Sequence, residues 1–151
     1  MEVINKDILT VRRGIICHQC NCIGAMGAGL AKQIRDRWPH IYADYRKAIE
    51  QGELKLGGCR IAEAQPGIYI AHLAGQYGLG RRKFNRPATD YLALSSALNE
   101  LNRQINGSYV LMRMPIYIPF GIGCGLGGGD WEEVVKLLEE DATNAVICKY
   151  R

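Results

Sequence analysis

Apolar positions along this chain follow two alternating patterns. Short continuous runs predict buried strands: Val3-Ile4, Gly14 to Cys20, Cys59 to Ala62, Ile68 to Ala74 and Ala145 to Cys148. Between them lie helical stripes. Leu30, Ile34 and Trp38 recur every four residues, and Pro39 ends that stretch. A second helix is predicted over about residues 40–51, with Ile41, Tyr45 and Ala48 or Ile49 facing inward and Gly52 as its stop. Both of its tyrosines, Tyr42 and Tyr45, are expected in the core. Tyr91, Leu94, Leu98, Leu101 and Ile105 mark a third helix, and Trp131 to Leu138 a fourth. Tyr109 to Phe120 holds strand material interrupted by Pro115 and Pro119, which offer no N–H to a ladder. Strands alternating with helices predict an α/β layered fold. A length of 151 residues fits one domain spanning 1–151.

Two strand-to-helix transitions are rich in glycine. Gly121-Ile122-Gly123-Cys124-Gly125-Leu126-Gly127-Gly128-Gly129-Asp130 joins an apolar run to the fourth helix. Asn21-Cys22-Ile23-Gly24-Ala25-Met26-Gly27-Ala28-Gly29-Leu30 joins the second strand to the first helix. Each reads either as a plain turn or as a cradle of backbone N–H groups for an anion. Their pairing favours the cradle. Asp130 suits the N-cap of the fourth helix, where a carboxylate also accepts from first-turn amides, and Glu133 three residues on predicts a capping box.

The polar residues near these loops supply the candidate chemistry. In a parallel sheet, ligands bind at the carboxyl ends of strands, which is where Asn21 falls. His18 reads either as a hydrogen-bonded structural residue or as a general acid or base titrating near neutrality. His72 is expected buried and bonded within the sheet. Asp7 reads as an Asx turn or as an acceptor for a ligand, and Asp130 as a cap or as a group polarising water. Strand alternation sends Cys17 and Cys20 to opposite faces, so they cannot share a tetrahedral ion, and no metal or cofactor is expected. Cys124 has no adjoining base to make it a nucleophile. Arg81, Arg82, Lys83 and Arg86 form either a solvated loop or a contact to phosphate or nucleic acid.

Bulk composition narrows the class. A net charge of +4 is mild and suits a phosphorylated small ligand. No apolar run approaches the roughly 20 residues of a membrane span. The start lacks the basic-then-apolar shape of a secretory signal, so a cytoplasmic protein with six reduced thiols and no membrane partner is expected.

In combination, Asp7-Ile8-Leu9 and the two glycine loops resemble a macro domain over nearly the whole chain. His18-x-Cys20-Asn21-Cys22 is similar to the ADP-ribose 1″-phosphate phosphatases in the branch that also holds terminal ADP-ribose glycohydrolases. The resemblance implies a three-layer α/β/α fold with a mixed central sheet and ADP-ribose bound across its top. It implies that Asp7 and Ile8 contact adenine and that Asn21 faces the distal ribose. It implies that Gly27, Ala28, Gly29 and Leu30 clamp the diphosphate against Gly121, Ile122, Gly123, Cys124, Gly125 and Leu126. The favoured activity is removal of phosphate from ADP-ribose 1″-phosphate, with His18, Asn21 and Asp130 as catalytic candidates. Its rivals are release of ADP-ribose from modified protein or nucleic acid, and a non-catalytic ADP-ribose reader. Lys6 stands where the family has glycine. Gly75-Gln76-Tyr77 stands where the glycohydrolases have a catalytic lysine, and Gly127 where they have an acid. Direct attack by water is therefore expected rather than a lysine adduct.

Overall fold

A computed structural model describes residues 1–79 and 87–150. The basic stretch Arg81 to Arg86 lies outside the described residues. Six strands form one mixed sheet: β1 (Val3–Asn5), β2 (Gly14–Gln19), β3 (Cys59–Gln65), β4 (Ile68–Leu73), β5 (Ile116–Pro119) and β6 (Val146–Lys149). Their spatial order is β1-β6-β5-β2-β4-β3. Every neighbouring pair is parallel except β3 and β4, an antiparallel hairpin.

Four helices cover the sheet: α1 (Gly29–Arg37), α2 (Pro39–Glu50), α3 (Tyr91–Asn106) and α4 (Trp131–Asp141). Alternation along β2 sorts the core into two layers. Ile15 and Cys17 pack with Leu94, Leu98, Val134 and Leu138 of α3 and α4. Ile16 and Cys20 pack on the other face with Ile34, Ile41, Tyr45 and Ala48 of α1 and α2. Cys17 and Cys20 thus lie on opposite sides of the sheet. A strand buried on both faces carries a continuous apolar run because neither side meets water. No helix among the described residues is long and apolar enough to cross a membrane.

Several expectations are corrected. Within Tyr109 to Phe120 the strand is Ile116–Pro119, the apolar run expected before the second glycine loop, while Leu111–Arg113 is a short 3-10 turn. Pro115 explains the late start, since it cannot donate to a ladder, though its carbonyl accepts from Ile15 N at 2.8 Å. Strand β3 runs on past Ala62 to Gln65 through an irregularity at Glu63/Gln65. The capping box does not form: Asp130 caps Glu132 N at 2.9 Å, while Glu133 turns to Lys136 at 3.5 Å. Tyr42 is only partly buried, with Arg35 stacked 4.2 Å over its ring, whereas Tyr45 is fully buried.

Candidate functional site

Strands β2 and β5 are adjacent and parallel, with Ile15 opposite Ile116 and Ile16 opposite Tyr117. Their carboxyl ends therefore emerge side by side, and each continues into one of the glycine-rich loops. Between the loops lies a cleft of about 390 Å³. Residues 25–31 form one wall, residues 119–123 and 125–127 the other, and residues 18–21 the floor, with Gln76 and Leu79 also lining it.

The cleft offers backbone donors at the start of α1. Asp90 caps α3 on Ala93 N at 3.0 Å, and Asp130 caps α4. Ala28, the N-cap of α1, has no side-chain bond to give. The first-turn amides of a helix have no intrahelical acceptor, and those of α1 open on the cleft. The described lining residues carry no lysine, arginine, aspartate or glutamate. Among the described residues, an anion here would meet helix-end and loop N–H groups rather than side-chain cations.

Asn21 lines the floor, but most of its bonding capacity shapes the loop. Its Oδ1 accepts from Ile23 N (3.2 Å), Ala25 N (3.1 Å) and Tyr45 Oη (2.7 Å), and its Nδ2 donates to Ala25 O (2.9 Å). Tyr45 reaches it from α2, and its single hydroxyl hydrogen is shared between Asn21 Oδ1 and Asn21 O, the latter at 2.6 Å. Tyr45→Phe deletes both hydroxyl contacts and leaves buried acceptors underused. We expect a loss of about 1–3 kcal/mol in urea unfolding, the usual penalty for an unsatisfied buried group. Unchanged stability would show that this hydroxyl does not anchor the loop.

His18 lies on the floor, 2% exposed, and is hydrogen-bonded at 2.6 Å to His72, its register partner on β4. Tyr45 stacks on His72 with ring centroids 5.1 Å apart. Burial pushes His18 down to about 4. His72 falls well below its ordinary value through burial, then through the charges of His18 and Arg60. Both rings are neutral at neutral pH.

Gly27, Ala28, Gly29, Leu30, Gly121, Ile122, Gly123, Gly125 and Leu126 all line the cleft. Asp7, Ile8, Cys124 and Asp130 do not. Asp7 caps the 3-10 turn Ile8–Thr10 by accepting from Leu9 N at 3.0 Å, and Ile8 is buried in the core. Asp7 does sit near Cys148, at the carboxyl end of β6, beside β5. The Cys124 thiol is raised by burial and then by Asp130, so it stays protonated. Asp130 is held in its capping role, its own N–H donating to Tyr91 Oη at 2.9 Å.

Sequence reasoning missed the brace beneath the second loop. Gln19 Nε2 donates to Gln76 Oε1 and Thr89 Oγ1, both at 2.8 Å. The Thr89 hydroxyl passes its own proton to Gly123 O at 2.6 Å, and Gly127 O accepts from Thr89 N at 3.0 Å. The polar end of β2 hinted at Gln19, but no periodicity links it to a threonine 70 residues away. At the opposite end of the cleft, the Phe120 ring lies 4.7 Å from Trp131, with Lys149 Nζ 4.5 Å over it.

A mixed sheet with a carboxyl-edge cleft between two glycine loops defines a layered α/β protein. The macro domain model matches residues 17–138, and the chain belongs to that family. It is 32% identical over 125 residues to a 17.5 kDa protein in the tk-vs intergenic region of Enterobacteria phage T4, covering 82% of this chain and 77% of that protein. It is 24% identical over 160 residues to the ADP-ribose 1″-phosphate phosphatase of Saccharomyces cerevisiae, covering 91% and 89%. It is 26% identical over 132 residues to the DNA ADP-ribosyl glycohydrolase of Mycobacterium tuberculosis, covering 87% of this chain but 36% of that protein. The fold superimposes on Thermosipho africanus DarTG, solved in complex with ADP-ribose, with a TM-score of 0.76 at 21% identity; the match spans 99% of this chain and 41% of that one.

Proposed function

We propose that the cleft binds ADP-ribose and that the protein hydrolyses ADP-ribose 1″-phosphate to ADP-ribose and phosphate. One observation carries this reading: both glycine loops and the uncapped start of α1 line the same cleft. A diphosphate requires converging N–H donors with little side-chain bulk around them. In this reading the adenine lies toward Phe120 and Asp7, where an aromatic face and a carboxylate flank the carboxyl ends of β5 and β6. The distal ribose then lies toward Asn21 and His18. Fixing the substrate leaves its terminal phosphate open to water, and positioning supplies much of the rate. Loop N–H groups stabilise charge on the phosphate oxygens. His18 is the proton-carrying candidate, since the Cys20 thiol beside it is raised well above its ordinary value by burial and stays protonated.

A second reading, a reader without turnover, is supported by Asn21 and Gln19, whose side chains already bond to the protein itself. ADP-ribose at 100 times its Kd is expected to stabilise the protein by about 2.7 kcal/mol, a rise in Tm of roughly 5–10 °C. No rise at millimolar ADP-ribose would count against the whole assignment. Incubation with ADP-ribose 1″-phosphate, with detection of free phosphate, separates phosphatase from reader. Release of ADP-ribose from modified DNA or protein, without phosphatase activity, would favour the glycohydrolase class instead.

A further inference from the structure

We propose that His18 and His72 act as one proton-holding unit beneath the cleft, with His72 the positioning residue, and that a bound diphosphate draws a proton onto the pair. The inference rests on the reading of the cleft as an anion site.

Geometry is its starting point. His18 and His72 are register partners on adjacent parallel strands, so their side chains share one face of the sheet. Only one hydrogen fits between His18 Nε2 and His72 Nδ1 at 2.6 Å. Two neutral arrangements follow. If His18 donates, its Nδ1 is a bare acceptor and His72 Nε2 carries a hydrogen. If His72 donates, the roles of the two outer nitrogens reverse. Among the described residues, His18 Nδ1 and His72 Nε2 are buried without a partner in either case. One of the two is therefore always a bare ring nitrogen that can take a proton without breaking a bond already made.

Taking up one proton gives both nitrogens of one ring a hydrogen and makes the bond between the rings charge-assisted, which strengthens it. Burial opposes that charge in the empty protein. Among the described residues, the surroundings supply no free counter-charge. From β3, Arg60 faces the pair as a like charge, and it is engaged by Asp44 at 2.7 Å and Glu53 at 3.0 Å. From α2, the phenol of Tyr45 stacks on His72, and its hydroxyl is donated to Asn21. Cys20, the residue after β2, lies on the cleft floor and stays a neutral thiol. On α1, Lys32 is paired with Asp36 at the surface. The missing negative charge comes from the ligand: His18 lines the same cleft as the two loops, so a diphosphate held between them lies within one sugar of the pair even with the distal ribose toward His18. An anion nearby favours the charged form of a base, so anion binding and proton uptake are linked.

Calorimetric titration with ADP-ribose at pH 6, in two buffers of different ionisation enthalpy, reads the number of protons taken up. The wild type is expected to take up a measurable fraction of one proton. Its affinity should tighten from pH 8 to pH 5.5, by no more than tenfold per pH unit. The diphosphate itself stays ionised over that range. His72→Gln is expected to bind at pH 8 but to lose both the uptake and the pH dependence. Binding without proton uptake in the wild type would overturn this proposal and leave the cleft assignment standing. Uptake that persists in His72→Gln would remove His72 from the unit. No binding at any pH would instead overturn the underlying reading of the cleft. The wild-type measurement decides the matter even if the variant does not fold.

Discussion

Replacing Gly27 with valine is expected to weaken ADP-ribose binding by roughly tenfold to hundredfold while leaving the Tm of the free protein unchanged. Gly27 does not have the positive φ that only glycine tolerates easily. A Cβ built on it meets nothing within 4 Å. Neither backbone strain nor packing accounts for glycine there. In the proposed reading, glycine there leaves room for a ligand to approach the backbone closely. Gly125, on the facing wall, is in the same position, so Gly125→Val should behave alike. Forcing extra methyl groups into an occupied space costs about 1–3 kcal/mol, a tenfold to hundredfold weakening.

Gly127 provides the contrast. A Cβ there would collide with Thr89 Oγ1 and lie 2.8 Å from Gly123 O. Gly127→Val should therefore lower stability itself, by about 1–3 kcal/mol. Thermal unfolding and ADP-ribose titration of the three variants test this division. Should Gly27→Val and Gly125→Val bind as tightly as the wild type, the diphosphate does not run between these walls.

Acid is expected to destabilise the protein well above the pH at which carboxylates titrate. His18 is held near 4 by burial, against an ordinary 6.5. Between those values the unfolded chain binds a proton that the native protein rejects. The stability contributed by keeping the ring neutral is complete above about pH 6.5 and is lost as pH falls toward 4. For His18 alone this amounts to roughly 2 kcal/mol between pH 7 and pH 5. His72 shifts in the same direction for the same first cause and adds to the slope. Asp44 is lowered by its hydrogen bonds to Arg60, so its contribution is lost only below the ordinary carboxylate range. The interval from pH 7 to pH 5 thus isolates the histidines. Urea midpoints at pH 7, 6 and 5 measure the effect, and a flat stability across them would contradict the buried neutral pair. Saturating ADP-ribose should reduce the slope if the ligand draws a proton onto the same pair.

How legible the molecule was depends on how local each signal is. The stripe Leu94, Leu98, Leu101 and Ile105 places α3 within a residue or two, because a helix buries one face at a fixed period. Strand β4 reads directly from Ile68 to Leu73, because a strand between two helical layers is apolar throughout. Strand β5 was legible as an apolar run but not in its pairing: Pro115 and Pro119 bracket three residues whose neighbours, β2 and β6, are set by the tertiary fold. At Asp130 the local pattern placed the N-cap but predicted a capping box with Glu133, and the cap that forms reaches Glu132 N without one.

By itself the sequence determined the alternation of strands and helices, the two glycine loops and the polar end of β2, since each arises from neighbours within a turn or two. Tertiary structure alone decided that β2 lies beside β5, so that loops about 100 residues apart in the chain share one cleft. It likewise decided that His18 meets His72, that Tyr45 holds Asn21, and that Thr89 braces Gly123. Those contacts depend on strand order and register, and these are settled by how two helical layers close over one sheet rather than by any pattern within a single segment.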